Sequence, residues 1–174
     1  GSTIYFSMSS DGGNTFSVPV QLSDQGKDSA FPQIAVSGSH VYATWLERIP
    51  GNVANVYFSK SDDNGNSFSK PSVVTHRYGA SGLPLVSADA NDVYLLWEDN
   101  GTGNFDVFFA KSIDAGNTFG DSVNISNDSG ESGTPQMNIE GKNIAIVWMD
   151  NAAGNYNIMS STSTDGGSTF STPI

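Results

Sequence analysis

Carboxylates recur at fixed places along this chain of 174 residues. One set stands in a polar, glycine-rich run that occurs four times, as "SSDGGNTF", "SDDNGNSF", "SIDAGNTF" and "STDGGSTF". A second set of carboxylates follows each tryptophan by two residues, and each of these carboxylates is followed by a further polar residue. Carboxylates in such patterns could form the acid–base pair of a glycosidase, bind Ca²⁺, or accept hydrogen bonds inside turns. The second set comprises Glu47, Asp99 and Asp150, with Asn55, Asp106 and Asn157 after them.

The fourfold run has the pattern S-x-D-x-G-x-[ST]-F. An aspartate followed two residues later by glycine is typical of a tight hairpin turn, in which the carboxylate accepts backbone N–H bonds and the glycine allows positive φ. The phenylalanine should anchor each hairpin in the packing. Because catalysis needs one unique constellation, four equal copies favour a structural role. The residues concerned are Asp11, Gly13, Phe16, Asp63, Gly65, Phe68, Asp114, Gly116, Phe119, Asp165, Gly167 and Phe170.

Calcium is the alternative role for these runs. The stretch "DDNGN" at 62–66 offers oxygen ligands at alternate positions. An EF-type loop also requires a glycine at its sixth position and a bidentate glutamate at its twelfth, and the chain lacks both there. We therefore expect no cofactor, with Ca²⁺ as the open alternative.

The runs repeat with a nearly constant period. Their aspartates are separated by 52, 51 and 51 residues, and the prolines Pro32, Pro84 and Pro135 step by 52 and 51. Each unit contains four short segments with strand-like alternation, and no segment shows a helical period. This predicts an all-β fold, a β-propeller of four-stranded antiparallel blades of about 51 residues, with about three and a half blades per chain. The tryptophans Trp45, Trp97 and Trp148 should form the core between blades.

The runs resemble the Asp-box, or BNR, repeats of sialidase-like β-propellers, and the resemblance extends over the whole chain. It implies a binding face formed by the loops opposite the boxes, where the second set of carboxylates would lie in solvated connections. Sialidases use three arginines, a tyrosine paired with a glutamate, and an aspartate. This chain has only Arg48 and Arg77, so the resemblance implies the fold and not sialidase activity.

The remaining tyrosines and histidines favour ordinary roles. Four tyrosines at repeated strand positions should be packing residues, namely Tyr5, Tyr42, Tyr57 and Tyr94. Tyr78 and Tyr156 should lie in or beside loops, and His40 and His76 should lie at the surface.

One domain is predicted over residues 3–174, after a Gly1–Ser2 pair typical of an expression scar. It comprises a half-blade at 3–24 and repeats beginning near the three prolines. Three arrangements are open. The chain could be an open arc from a longer protein, a ring completed by self-association, or a small ring in which residues 3–24 complete the sheet of residues 135–150. Bare blade faces favour self-association.

Charge and composition restrict the partners. The net charge of −11 argues against nucleic acid and anionic membranes, and no segment is apolar enough for membrane insertion. The chain has no cysteine, which excludes disulfides, and its Ser- and Asn-rich composition suits an extracellular or cell-surface protein. The sequence favours a non-catalytic module that binds glycans or a protein partner. The alternatives are a fragment of a glycoside hydrolase and an architectural repeat.

Overall fold

The structure is a computed structural model that describes residues 1–51, 53–75 and 79–174. The described residues form strands and no helix, so none of them builds a helix able to span a bilayer. The predicted all-β class is confirmed. The strands are β1 (Tyr5–Phe6), β2 (Val20–Gln21), β3 (Asp28–Ser37), β4 (His40–Ile49), β5 (Val53–Ser61), β6 (Ser72–Val73), β7 (Ser81–Asp89), β8 (Asp92–Asp99), β9 (Asp106–Ser112), β10 (Val123–Asn124), β11 (Ser132–Glu140), β12 (Asn143–Asp150) and β13 (Asn157–Ser163).

The strands form antiparallel sheets in chain order. Blade 1 is β3-β4-β5-β6, blade 2 is β7-β8-β9-β10, and blade 3 is β11-β12-β13. β1 and β2 form a two-stranded half-blade. In blade 3, β13 pairs with β12 along its whole length. The hypothesis that residues 3–24 complete this sheet is therefore wrong, since β13 occupies the edge they would need.

Neighbouring blades pack face to face through three apolar clusters, and each tryptophan lies in the cluster shared with the preceding sheet. Trp45 packs with Ile4 and Leu22 of the half-blade, Trp97 packs with blade 1, and Trp148 packs with blade 2. All three indole rings are buried. Exposed apolar side chains lie in the half-blade (Tyr5) and in blade 3 (Ile158), and none of the three clusters of described residues joins these two sheets.

The innermost strand of every blade has a bulge at its proline. Phe31, Leu83 and Thr134 each precede that proline, and each has a positive φ, between 41° and 52°. The pairing register shifts at the same points. Left-handed backbone is unfavourable for residues with a Cβ, at about 1–2 kcal/mol each. The bulge lets the strands begin at residues 28, 81 and 132, three or four positions before the prolines where the sequence places the repeats.

The fourfold run forms a hairpin after β1 in the half-blade and after the third strand of each of the three blades. We call these four hairpins the box hairpins. Asp63 Oδ1 accepts bonds from the Ser61 hydroxyl (2.7 Å) and the Ser67 N–H (2.9 Å), while Oδ2 accepts the Ser67 hydroxyl (2.6 Å). The same three bonds recur at the other aspartates. These bonds, above all the one from the Ser or Thr hydroxyl four residues on, lower the pKa of Asp11, Asp63 and Asp114 to about 2, and they lower that of Asp165 as well.

The phenylalanine of a box hairpin packs edge-to-face on a phenylalanine of the preceding sheet. The pairs are Phe68 on Phe6, Phe119 on Phe58 and Phe170 on Phe109, with ring centroids 4.9 to 5.0 Å apart. Phe16 is 66% exposed, so the expectation that it anchors its hairpin is wrong. Among the described residues, no sheet packs on the side of the half-blade that would supply the second ring.

Candidate functional site

The second set of carboxylates lies at the end of each blade opposite the box hairpin. In blade 1 the pairing of β3 and β4 runs from Asp28↔Arg48 at one end to Ser37↔His40 at the other. The box hairpin bonds to the latter end through Asn64 N–H and Ser39 O (2.9 Å). The start of each inner strand and the end of each tryptophan strand therefore form the opposite face.

The predicted site residues form direct cross-strand pairs, which are Glu47↔Asn55, Asp99↔Asp106 and Asp150↔Asn157. The sequence places them in solvated loops, which is wrong for the backbone of all six, although Asn157 is exposed as predicted. They lie within strand ends, and Glu47, Asp99, Asp106 and Asp150 are all buried. The strands continue further than the apolar alternation suggests, because the backbone pairing persists through these polar positions.

Asp99 and Asp150 make the same bonds in successive blades. Asp99 Oδ2 accepts the Ser81 hydroxyl (2.7 Å) and Oδ1 accepts the Gly101 N–H (2.8 Å). Asp150 accepts the Ser132 hydroxyl and the Ala152 N–H, both at 2.8 Å. Each carboxylate thus joins the start of the inner strand to the following turn. Both oxygens are occupied by protein donors, which gives these residues a structural function.

Asp106 is saturated with neutral donors. Its Oδ1 accepts the Ser126 hydroxyl (2.9 Å), and its Oδ2 accepts Thr102 Oγ1 (2.8 Å) and Asn124 Nδ2 (2.9 Å). These bonds tie the tip of β9 to the segment after β10. No group of His, Asp or Glu side chains suited to a metal ion occurs among the described residues.

Blade 1 departs from this pattern at Glu47. The longer side chain reaches the Lys27 ammonium, which lies 3.1 Å from Oε1, and this contact raises the pKa of Lys27. The hydroxyl of Ser29, which corresponds to Ser81 and Ser132, is buried without a hydrogen-bond partner among the described residues. The predicted positions His76, Arg77 and Tyr78 lie outside the described residues.

The structure reveals a further candidate carboxylate, Glu98, which the sequence distinguishes only as the neighbour of Asp99. Glu98 lies directly after Trp97, where blades 1 and 3 have Leu46 and Met149. Its Oε2 accepts the Thr134 N–H of blade 3 at 3.1 Å. Burial raises the pKa of this carboxyl, and the Thr134 bond offsets part of that shift. The replacement of an apolar residue by glutamate at one of three equivalent positions is the signal that could have revealed it.

Two neighbouring cavities share Glu98 and Leu83, and together they form a groove across the three blades. The cavity between blades 1 and 2 has a volume of about 560 Å³ and includes Phe31, Leu46 and Arg48. The cavity toward blade 3 has a volume of about 280 Å³. Its lining adds Phe105, Glu131, Thr134, Met149 and Tyr156.

Two glycines make room for Glu98 at the centre of this groove. A Cβ on Gly82 would lie 2.5 Å from Glu98 Oε1, and a Cβ on Gly133 would lie 2.9 Å from Oε2. The bulge residues Leu83 and Thr134 directly follow these glycines. Strained backbone and close glycine contacts thus surround a single half-buried carboxyl, an arrangement that is common at functional sites.

No protein-family model and no curated protein matches the sequence. Among solved structures, it is similar to a Hadza microbial sialidase (TM-score 0.66, 15% identity, 95% of this chain), to Trypanosoma rangeli sialidase with the inhibitor DANA (0.65, 15%, 95%) and to the GH93 α-L-arabinofuranosidase of Fusarium graminearum with arabinobiose (0.60, 14%, 94%). The chain has a sialidase-like β-propeller fold. It spans 39%, 32% and 55% of the length of those three proteins.

Arg48 is the one arginine among the described residues of this sialidase-like propeller segment. It borders the groove, but its charge is paired with a carboxylate. Its Nη1 lies 3.4 Å from Asp28 Oδ2, and its guanidinium lies over the Phe31 ring at 6.0 Å from the centroid. The groove therefore combines one compensated cation with the carboxyls of Glu98 and Glu131. Its chemistry suits a ligand rich in hydroxyl groups.

Proposed function

We propose that this chain is a carbohydrate-binding segment of an extracellular or cell-surface propeller, and that the groove around Glu98 holds the sugar. The observation that carries the proposal is the position of Glu98. At the three equivalent repeat positions, Glu98 carries a carboxyl where the other two residues, Leu46 and Met149, are apolar. It stands between two cavities on the face opposite the box hairpins.

The lining of the groove supports a sugar as ligand. Sugar rings present C–H faces that pack on aromatic side chains, and hydroxyl groups that donate hydrogen bonds to carboxylates. Phe31, Phe105 and Tyr156 supply the aromatic surface, and Glu98 supplies the acceptor. The carboxylates Asp99, Asp106 and Asp150, which the sequence suggests as ligand contacts, accept hydrogen bonds from the protein itself, so the proposed binding relies on other residues.

Charge favours a neutral glycan over an acidic one. The chain carries a net charge of −11, and Arg48 is paired with Asp28. An acidic sugar would meet Glu98 and Glu131 without an uncompensated cation among the described groove residues. A neutral pentose oligomer, such as the arabinobiose bound by the Fusarium graminearum enzyme, fits this balance better than a sialoside.

Titration calorimetry with arabino-oligosaccharides and with sialyllactose tests the proposal. We expect binding of the neutral ligand only, and at least a tenfold loss of affinity in Tyr156→Ala and in Glu98→Gln. Tyr5→Ala is the matched control, because Tyr5 is similarly exposed but lies outside the groove. Equal affinities in all variants, or binding to neither ligand, would refute the assignment. Binding without turnover would mark a non-catalytic module.

A second candidate, part of a glycoside hydrolase, is favoured by the electrostatics of Glu98. A half-buried carboxyl with a raised pKa is suited to act as a general acid, and Glu131 lies in the same cavity as a second carboxyl. Turnover of a nitrophenyl α-L-arabinofuranoside that disappears in Glu98→Gln would support this role. A turnover rate equal to that of the buffer control would exclude it for this chain.

We also propose that the chain self-associates through the outer face of blade 3. Val147, Met149 and Ile158 are exposed there, and Ile158 is 70% exposed although its counterparts Val56 and Val107 are fully buried between blades. Light scattering at several concentrations should show oligomers that Ile158→Lys dissociates. A monomer at every concentration would overturn the proposal and leave the binding of a different protein partner as its alternative.

A further inference from the structure

A cavity of about 410 Å³ lies between the outer strand β6 of blade 1 and the segment that joins β9 to β10 in blade 2. Blade 1 contributes residues 72–75 to its lining, and blade 2 contributes Trp97, Ala110 and most of residues 116–122. The cavity shares no lining residue with the groove around Glu98. Its volume falls in the range of roughly 300–1,000 Å³ that is usual for small-molecule sites.

A pair of serines occupies the equivalent position in the half-blade and in blades 1 and 3. In blade 1 the Ser59 hydroxyl donates to the Ser69 carbonyl (2.8 Å), and the Ser69 hydroxyl accepts the Lys60 N–H (3.1 Å). The same two bonds recur, at 2.7 to 3.2 Å, in the pairs Ser7/Ser17 and Ser161/Ser171. Each serine pair thus supplies one donor and one acceptor to the backbone beside the box hairpin.

Blade 2 has Ala110 and Gly120 in place of the two serines, and both residues line the cavity. Because neither carries a hydroxyl, the Gly120 carbonyl and the Lys111 N–H lack the two side-chain bonds that the serines make elsewhere. Gly120 is not needed for its conformation or its size, since its φ is not left-handed and the nearest atom to an added Cβ, Lys111 O, would be 3.7 Å away. The fold itself therefore leaves room for a serine at residue 120.

A third departure from the repeat borders the same cavity. Ser122 stands where the other box segments have Pro19, Pro71 and Pro173. The three positions at which blade 2 differs in this way therefore meet at one cavity. Departures of this kind from the local rules of a fold are expected at functional sites.

The polar groups of the cavity suit a neutral ligand with several hydroxyl groups. Asp121 contributes an exposed carboxylate, Asn117 an amide and Ser122 a hydroxyl, while Val73 and Phe119 add apolar surface. An anionic ligand would meet the Asp121 carboxylate and a net charge of −11, and the lining contains no lysine or arginine to compensate. A hydroxyl group both donates and accepts hydrogen bonds, as the missing serine pair would.

We infer that this cavity is a second binding site of the chain, which takes a neutral monosaccharide. One hydroxyl of the sugar replaces the missing serines, donating to the Gly120 carbonyl and accepting the Lys111 N–H. The Asp121 carboxylate accepts a second hydroxyl. The site goes beyond the groove around Glu98, and two separate sugar sites on one chain would raise its avidity for a branched or repeated glycan.

The test is an NMR titration of the full chain, labelled with ¹⁵N, with L-arabinose, D-xylose and D-galactose. We expect at least one of these sugars to cause saturable shifts of the Lys111, Asn117 and Gly120 amide signals. The indole N–H signal of Trp97, which lines the cavity, should shift with them, and that of Trp45 should not.

The decisive variant combines Ala110→Ser with Gly120→Ser, which restores the serine pair. It should fold with a melting temperature at least equal to that of the parent, because the same pair is accommodated in three other sheets. It should also bind the sugar at least tenfold more weakly, because its own hydroxyls occupy the backbone groups that the sugar would use. Ala145→Ser is the matched control, since it adds a hydroxyl to an exposed alanine outside the cavity.

Any of four results would overturn the inference. They are the absence of saturable shifts with all three sugars, equal affinity in the parent and the double serine variant, and equal shifts with glycerol at the same concentration, which would show that any hydroxylated solute enters the cavity. The fourth is loss of the shifts in Tyr156→Ala, which would assign them to the groove around Glu98. Because the two sites share no lining residue, failure of binding in the groove leaves this test unaffected.

Discussion

Gly116 of the blade 2 box hairpin lies against the ring of Phe58 in blade 1, so closely that a Cβ on Gly116 would be 2.9 Å from Phe58 Cζ. Gly167 meets Phe109 in the same way, at 2.7 Å. In the three boxes that follow a preceding sheet, the glycine therefore meets two demands at once. It provides a positive φ for the turn, and it leaves room for the aromatic ring of the preceding sheet.

This relationship predicts that Gly116→Ala destabilises the protein more than Gly13→Ala. Both residues have positive φ, so both substitutions strain the backbone, but nothing lies within 4 Å of a Cβ on Gly13. The steric contact with Phe58 should add about 1–3 kcal/mol for Gly116→Ala. Urea unfolding of the two variants measures the difference. Equal losses of stability would show that the contact with Phe58 is relieved by movement of the hairpin.

The box aspartates should make the protein sensitive to acid. Their pKa in the folded chain is lowered to about 2 for Asp11, Asp63 and Asp114, below the ordinary 3.8. A lowered folded pKa stabilises the fold above the unfolded pKa, and that stabilisation is lost as the pH falls from about 4 toward 2. Melting temperatures between pH 6 and pH 2 should fall over this window. Asp114→Ala should lower the melting temperature at pH 6 and flatten the acid decline, while ligand affinity of the folded protein stays unchanged. A selective loss of affinity at an unchanged melting temperature would contradict the structural role.

The ionisation of Glu98 should change the stability with pH in the opposite direction to that of the box aspartates. Because burial raises its folded pKa, the protonated carboxyl suits the fold, and stability is lost as the pH rises above the unfolded value of about 4.3. Glu98→Gln should therefore melt a few degrees higher than the parent at pH 7 and at the same temperature at pH 3. The exposed Glu140→Gln serves as the control and should show no such divergence. If the melting temperatures of the parent and of Glu98→Gln change in parallel with pH, the pKa of Glu98 is not raised.

Asp99→Ala should act on stability and leave catalysis or binding untouched in the folded protein. The substitution removes the acceptor of the Ser81 hydroxyl and the Gly101 N–H, both at a buried strand end. Leaving such donors unpaired costs about 1–3 kcal/mol. Asp89→Ala, at the exposed end of β7, should cost far less. Thermal unfolding measures the loss of stability, and titration calorimetry on the same samples measures ligand affinity. Weaker ligand binding by an Asp99→Ala variant of unchanged stability would show that Asp99 contacts the ligand.

The amino-acid sequence by itself determined the blade. Strand alternation, turn chemistry and the 51–52 residue spacing are local properties of the chain, and they were sufficient for the four-stranded unit, the positions of the box hairpins and the number of sheets. They also located Trp45, Trp97 and Trp148, which the structure buries between sheets. Short-range order of this kind follows from backbone sterics and from side-chain periodicity, so it can be inferred without knowledge of distant contacts.

Tertiary structure decided which carboxyls are hydrogen-bonded inside the protein and which lie in the groove. Asp99 and Asp150 look like site residues in the sequence, yet the inner strands bring Ser81 and Ser132 to them and bury them. Glu98 has a raised pKa because it is partly buried where blades 2 and 3 meet, and the N–H that its Oε2 accepts belongs to Thr134, 36 residues further along. Burial and hydrogen bonding at these positions depend on how one blade packs on the next, and packing between residues that far apart is set by the assembled fold and not by local spacing.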